Sequence, residues 1–338
     1  MTRRHPLPPE NVERPSAMKR LAGVAFASLL SSGLAHAQNE DHYPSRPITA
    51  ILSSAPGAGS DIIMRYLATK LTPILGQPFV MDNKPGANGA IAMTAVKHAK
   101  PDGYTLTLGA SSSHVLNPVL YANLPYHPIK DFTAIGQLGT VGILMVASND
   151  FPADNLEELA AIARKQKEPL QYASYGIGST GHFCGEVLAQ MQGYKLAHVP
   201  FKSVPQVITA LMAGDVKVGF TDMTAGTAAV KNGQIKALAS CTSKSPSLPD
   251  VGGYVDQGVD FDRKFRWVLY GPAGIPEPVV KKLRDALDTA LAMPDVVAKF
   301  REFGITAESL DGDKVNRIVE SDIAEWKDIA RKGHITAQ

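Results

Sequence analysis

The sequence predicts an α/β protein whose two lobes face a cleft. Three observations carry this. Short apolar runs alternate with amphipathic stretches along most of the chain, a strand, small-residue loop and helix unit occurs twice, and 338 residues are enough for two cores.

In chain order, the first feature is a secretory leader. Lys19 and Arg20 precede the apolar run Leu21 to Leu30, Ser31, Ser32 and Gly33 soften it, and Ala35-His36-Ala37 places small residues at the two positions a signal peptidase reads. Residues 1–37 are therefore expected to be a signal peptide cleaved after Ala37, with export to the periplasm. The run is too short for a membrane span, which needs about 20 apolar residues, and no later segment is apolar enough. Residues 1–17 hold four prolines and two glutamates, unlike a leader's basic start, so translation is open to beginning at Met18.

The first unit follows. Ile48 to Leu52 reads as a buried strand, Ser53 to Ser60 as a small-residue loop, and Ile62, Ile63, Tyr66, Leu67, Leu71 and Ile74 as one helical face. Ser60 reads as its N-cap, with Asp61 in the first turn where its charge suits the helix dipole. The unit recurs as strand Leu170 to Tyr175, loop Gly176 to Gly181, and a helix burying Phe183, Val187, Leu188 and Met191. Turn-rich segments, Asn83 to Gly86 among them, lie between, with no low-complexity linker. Leu283, Ala286, Leu287, Ala290 and Leu291 mark a helical tail expected to pack on the first lobe.

A formal charge of +2 without a basic cluster excludes nucleic acid as the natural partner. Cys184 and Cys241 are the only cysteines. In an oxidising compartment they are free to pair, but spacing gives no geometry, and two buried thiols are an equal reading.

A loop of small residues leading into a helix presents unpaired N–H groups at the positive end of the dipole, a place for an anion. Ser53, Ser54, Ser60, Ser174, Ser179 and Thr180 add hydroxyls. Either loop alone is equally well read as a tight connection. Its repetition favours a ligand role, because open α/β sheets bind at the carboxyl ends of their strands. Gly176-x-Gly178-x-x-Gly181 matches the dinucleotide fingerprint formally, but the expected acid about 20 residues on is missing from Lys195 to Phe201; no cofactor is expected. His182, Cys184 and Glu186 do not share one helix face, so no metal site is expected, and His182 reads as a helix-start or core residue. No nucleophile elbow, His-Glu-x-x-His or Cys-x-x-Cys occurs, which argues against an enzyme.

Several phrases together resemble the substrate-binding receptors of tripartite tricarboxylate transporters, the Bug receptor family. They are Tyr43 to Ile48, Pro56-Gly57-Ala58-Gly59-Ser60-Asp61, Asp82 to Gly89, Pro101 to Leu106, Asn117 to Tyr121, Leu124-Pro125-Tyr126 and Asp131-Phe132-Thr133. Tyr172 to His182, His198 to Lys202, Leu248 to Val251 and Gly271 to Pro276 continue the series. The likeness spans Tyr43 to the helix around Trp326. It implies a type II periplasmic-binding-protein fold, two lobes joined by crossover strands, and a monomer that hands a small organic carboxylate to a large and a small integral membrane subunit. It also implies a carboxylate held by the first loop, at Ser54, Ala55, Gly57, Ala58 and Gly59, and by the second, at Ser174, Gly178, Ser179 and Thr180. Ser111, Ser112 and Asp222 stand at further strand ends that line a cleft. Asp222 would meet a ligand amino or hydroxyl group or, the favoured reading, fix a loop, since like charges are costly to bury together.

The chain departs from the family where Pro-Phe is usual after the first strand: here stand Ser53-Ser54, and Ala58 replaces a second Gly. A roomier, more polar pocket follows, suited to an aromatic or longer dicarboxylic acid. Lobe I is expected at 43–141 plus 259–338 and lobe II at 142–258. A sensory binding protein serving a membrane kinase and an exported hydrolase are the other readings.

Overall fold

The computed structural model describes residues 43–332; the expected signal peptide and the alternative start at Met18 lie outside them. From Pro44 onward the described chain forms one compact unit, built on two mixed sheets. Strand β1 (Ile48–Leu52), β2 (Phe79–Asn83), β3 (Thr105–Ala110), β4 (Phe132–Val141), β10 (Phe265–Pro272) and β11 (Ile305–Asp311) make the first, in the order β11-β4-β10-β3-β1-β2. The second contains β5 (Ile143–Ala147), β6 (Leu170–Ser174), β7 (Leu196–Pro200), β8 (Val218–Asp222) and β9 (Lys236–Ser240), in the order β7-β6-β8-β5-β9. Each sheet joins three parallel strands to antiparallel ones. The expected α/β class with two lobes joined by crossover strands is what the chain forms.

The helices are α1 (Gly59–Leu75), α2 (Ala90–Lys97), α3 (Asn117–Leu120), α4 (Leu156–Lys165), α5 (Thr180–Gln192), α6 (Val204–Ala213), α7 (Met223–Lys231), α8 (Glu277–Leu291), α9 (Pro294–Glu302) and α10 (Gly312–Lys332). A single residue, Gly142, separates β4 of one sheet from β5 of the other, and the segment between β9 and β10 returns the chain.

Burial explains why these runs form strands. All five residues of β5 are buried, as expected of a strand covered on both faces. In α1 the buried stripe is Ile63, Met64, Leu67, Leu71 and Leu75. Ile74, expected in it, is exposed; the stripe steps from Leu71 to Leu75, four residues on, and leaves Ile74 outside. Met191 is likewise exposed while Phe183, Val187 and Leu188 are buried. Ser60 is not the N-cap of α1: Ala58 holds that position without a side-chain bond, and Ser60 Oγ instead meets Ser54 Oγ at 2.5 Å.

The tail helices bury Leu283, Ala286, Leu287, Ala290 and Leu291 and pack against β4. Trp326 of α10 also reaches the other lobe: its ring stands edge-on to Phe183 of α5 at 5.3 Å. Cys184 and Cys241 form a disulfide between α5 and the end of β9, with Cα atoms 5.9 Å apart, so the pairing that the sequence left open is made.

Candidate functional site

The carboxyl ends of β1, β3, β6, β7 and β8 converge on a cavity of about 650 Å³, a size suited to a small organic molecule. From one lobe come Ser53, Ser54, Ala55, Ala58, Gly59 and Ser60, the loop Pro85 to Gly89, and Ser111, Ser112 and Tyr121. From the other come Tyr175, Gly176, Ile177, Thr180, Lys202, Ser203, Gln206 and Asp222, while Val141, Ile143 and Phe265 to Trp267 close it at the crossovers. The convergence follows from parallel pairing: parallel strands bring their carboxyl ends, and the loops after them, to one edge of a sheet.

Eight of the twelve residues singled out from the sequence line this cavity: Ser54, Ala55, Ala58, Gly59, Ser111, Ser112, Thr180 and Asp222. Gly57, Ser174, Gly178 and Ser179 do not. Their polar groups are used inside the protein. Gly57 N–H donates to Asp61 Oδ2 at 3.0 Å and Gly178 N–H to His182 Nδ1 at 3.1 Å. Ser179 caps α5 by accepting from His182 N–H at 3.2 Å, and Ser174 Oγ lies 2.6 Å from His198 Nε2 and donates to the Gly176 carbonyl. That serine and histidine pair superficially suits a hydrolase, but Ser174 is fully buried.

The second Gly-rich loop is thus held from beneath by two histidines. His182 and His198 stack at 4.1 Å. Burial depresses both, His182 to about 4 and His198 to about 3, with His182 adding to the effect on His198. His182 is the helix-start residue that the sequence suggested. Glu186 is engaged by the Tyr172 hydroxyl at 2.7 Å and Cys184 by its disulfide.

Three wall elements escape a reading of the sequence. Gly86, Ala87, Asn88 and Gly89 have φ of 121°, 45°, 49° and 88°, four successive residues in the left-handed half of backbone space. Ala87 there costs about 1–2 kcal/mol, and such strain concentrates at working sites. Asn88 reaches across the cleft to Gly178, as does Tyr121, whose hydroxyl donates to the Ile177 carbonyl at 3.3 Å. The Pro-Gly and Asn-Gly pairs are the available signal. The third element is Lys202, exposed at the rim. Among the described residues its ammonium has no ion-pair partner, and the hydroxyls of Ser53 and Ser112 have no hydrogen-bond partner. Arg266 is instead paired with Asp322 at 2.9 Å.

Asp222 is the N-cap of α7, accepting from Ala225 N–H at 2.8 Å and from Gly59 N–H at 3.1 Å. Burial raises its pKa, opposed by main-chain N–H groups of Ala225, Gly59 and Thr224. A larger groove, about 880 Å³, lies between α8, α9 and β11 on the six-stranded lobe, away from the strand ends.

Two mixed α/β lobes closing on a cavity at their strand ends define the two-lobed periplasmic-binding-protein class. The chain belongs to the tripartite tricarboxylate transporter family receptors, whose model matches residues 63–335. It is 31% identical over 310 residues to a UPF0065 protein of Bordetella pertussis, covering 91% of this chain and 94% of that one. Its fold is similar to that of R. palustris Rpa4515 with adipate, with TM-score 0.84, 28% identity and coverage of 87% and 99%. It is also similar to MatC of Rhodopseudomonas palustris with bound malate, with TM-score 0.77, 29% identity and coverage of 85% and 99%.

Proposed function

We propose that the chain is an exported receptor that captures a small organic carboxylate, dicarboxylic or aromatic, in the 650 Å³ cavity and releases it unchanged. The carrying observation is the set of cavity groups without protein partners, the Ser53 and Ser112 hydroxyls and the Lys202 ammonium. The ammonium is a donor only and each hydroxyl carries one donor, and an anion satisfies all three. Ser54, Ala55, Ala58, Gly59, Ser111 and Thr180 complete the wall. The lobes are 43–141 with 259–338, and 142–258; the single residue Gly142 between β4 and β5 supports a boundary there. The carboxylates named with two similar structures, adipate and malate, support the ligand class. The disulfide supports an oxidising compartment such as the periplasm, and family membership supports large and small membrane subunits as recipients. Among the described residues no helix is long and apolar enough to cross a membrane.

Thermal unfolding of the mature chain with a panel of organic acids and their uncharged amides tests this reading. At a ligand concentration of 100 times Kd an acid adds about 2.7 kcal/mol of stability. Stabilisation is expected from acids and not from their amides, and weaker with Lys202→Ala. Equal effects of acid and amide overturn the proposal.

A further inference from the structure

Asp222 ends β8 and caps α7 through Oδ1, which accepts from Ala225 N–H at 2.8 Å. Its second oxygen, Oδ2, accepts from Gly59 N–H at 3.1 Å, at the start of α1 in the opposite lobe and 163 residues away in sequence. One carboxylate therefore closes the N-termini of two helices that belong to different lobes. Helix α1 has no side-chain cap of its own, so this bond satisfies a donor that the helix cannot satisfy internally. Both dipoles favour the negative charge placed between them, and charge-assisted bonds are stronger than neutral ones.

The approach depends on Gly59. A Cβ at that position would stand 3.0 Å from Asp222 Cγ, 3.1 Å from Oδ1 and 3.2 Å from Oδ2. Contacts this short oblige the carboxylate to give by a few tenths of an ångström, which lengthens its bond to Gly59 N–H. The missing side chain and the carboxylate fit each other.

We propose that Asp222 is the latch of the cleft, a protein carboxylate that occupies the α1 entrance when the lobes close. The anion site that the sequence placed at this helix start is thereby partly filled from within. The ligand's own anionic group is left to the wall of Ser53, Ser112 and Lys202. Opening breaks the Gly59 bond but keeps the Ala225 bond, so Asp222 stays anchored on its own lobe, ready to engage again.

The test is a distance across the cleft, read without any added acid, so that it stands apart from the choice of ligand. Nitroxide labels on Val80→Cys in β2 and Met212→Cys in α6, both exposed sites, report the interlobe separation by pulsed electron paramagnetic resonance. The mature chain is used, dialysed free of small molecules, with its native disulfide intact. The labelled chain should show mainly the short distance. Asp222→Asn and Gly59→Ala should each raise the ratio of long to short distances about tenfold, as expected for loss of one charge-assisted bond. Gly59→Ala retains the Asp222 carboxylate that caps α7, so it decides the matter if Asp222→Asn folds poorly. An unchanged distribution in Gly59→Ala, or a long distance already dominant without either substitution, overturns the latch.

Discussion

Asn88 and Gly178 are joined across the cavity: Asn88 Nδ2 donates to the Gly178 carbonyl at 2.6 Å. The same amide group donates to Asn117 Oδ1 at 2.6 Å, and Asn117 Nδ2 donates to the Asn88 carbonyl at 3.1 Å. Gly178 has φ of 76°, and a Cβ there would come within 2.8 Å of Leu120 Cδ1. Glycine adopts this backbone without strain and leaves room for Leu120 of the opposing lobe. Asn88, at φ 49°, is a residue type that tolerates the left-handed region better than most.

Substitution at Asn88 separates its two roles. Asn88→Ala loses the side-chain bonds and keeps the strain, so unfolding free energy should fall by about 2 kcal/mol. Asn88→Gly loses the bonds but relieves the strain and should cost about 1 kcal/mol. Urea unfolding of both variants checks the order; an equal loss in the two contradicts the strain.

Most of the scaffold and about half of the site are legible in the sequence, for identifiable reasons. Ile48 to Leu52 and Leu170 to Ser174 are short apolar runs bounded by small residues, so β1 and β6 stand out. Periodicity names a helical face only to within a residue or two, which is why it puts Ile74 and Met191 inside. Main-chain donors are harder. A Gly-rich loop shows that N–H groups exist but not what accepts from them, and here Asp61, His182 and Asp222 do so at Gly57, Gly178 and Gly59. Those acceptors come from the next turn or from the other lobe. Lys202 is hidden because its lack of a partner is a fact of three-dimensional placement.

The Cys184–Cys241 bond should matter to the five-stranded lobe. It closes a loop of 57 residues, for which chain entropy alone gives about 4 kcal/mol. Cys184→Ser/Cys241→Ser is expected to lower the unfolding midpoint in urea and to leave the far-UV circular dichroism of the native state unchanged. A midpoint within error of the parent's contradicts this.

Mild acid should loosen the second loop. His182 and His198 have folded pKa values of about 4 and about 3 against an ordinary value of 6.5. Between those values the unfolded chain binds more protons than the folded one, so stability rises with pH there. It is therefore complete above about pH 6.5 and is lost as pH falls toward 4 and 3. Buried His114, also depressed to about 3, adds to the same trend. Denaturation at stepped pH should show the fall, and His182→Asn/His198→Gln, which keeps an acceptor for the Gly178 N–H and a donor for the Ser174 hydroxyl oxygen, should flatten it. A slope unchanged by the double substitution assigns the acid sensitivity elsewhere.

Ser54 should set how large an acid fits. Ser54→Phe places a ring in the cavity and removes the bond to Ser60. Binding of six-carbon or aromatic acids should weaken tenfold or more, or about 1.4 kcal/mol, while four-carbon acids are less affected. Competition measurements on the parent and the variant compare the two classes. Equal losses across both would show that the position does not select for size.

Capture without chemistry is tested most directly by isothermal titration calorimetry of the mature chain with adipate, malate and aromatic acids, followed by mass spectrometry of the recovered ligand. The account predicts that at least one acid binds one-to-one, more weakly to Lys202→Ala, and returns unaltered in mass. Absence of binding across the panel, or an acid recovered as a different compound, would contradict it.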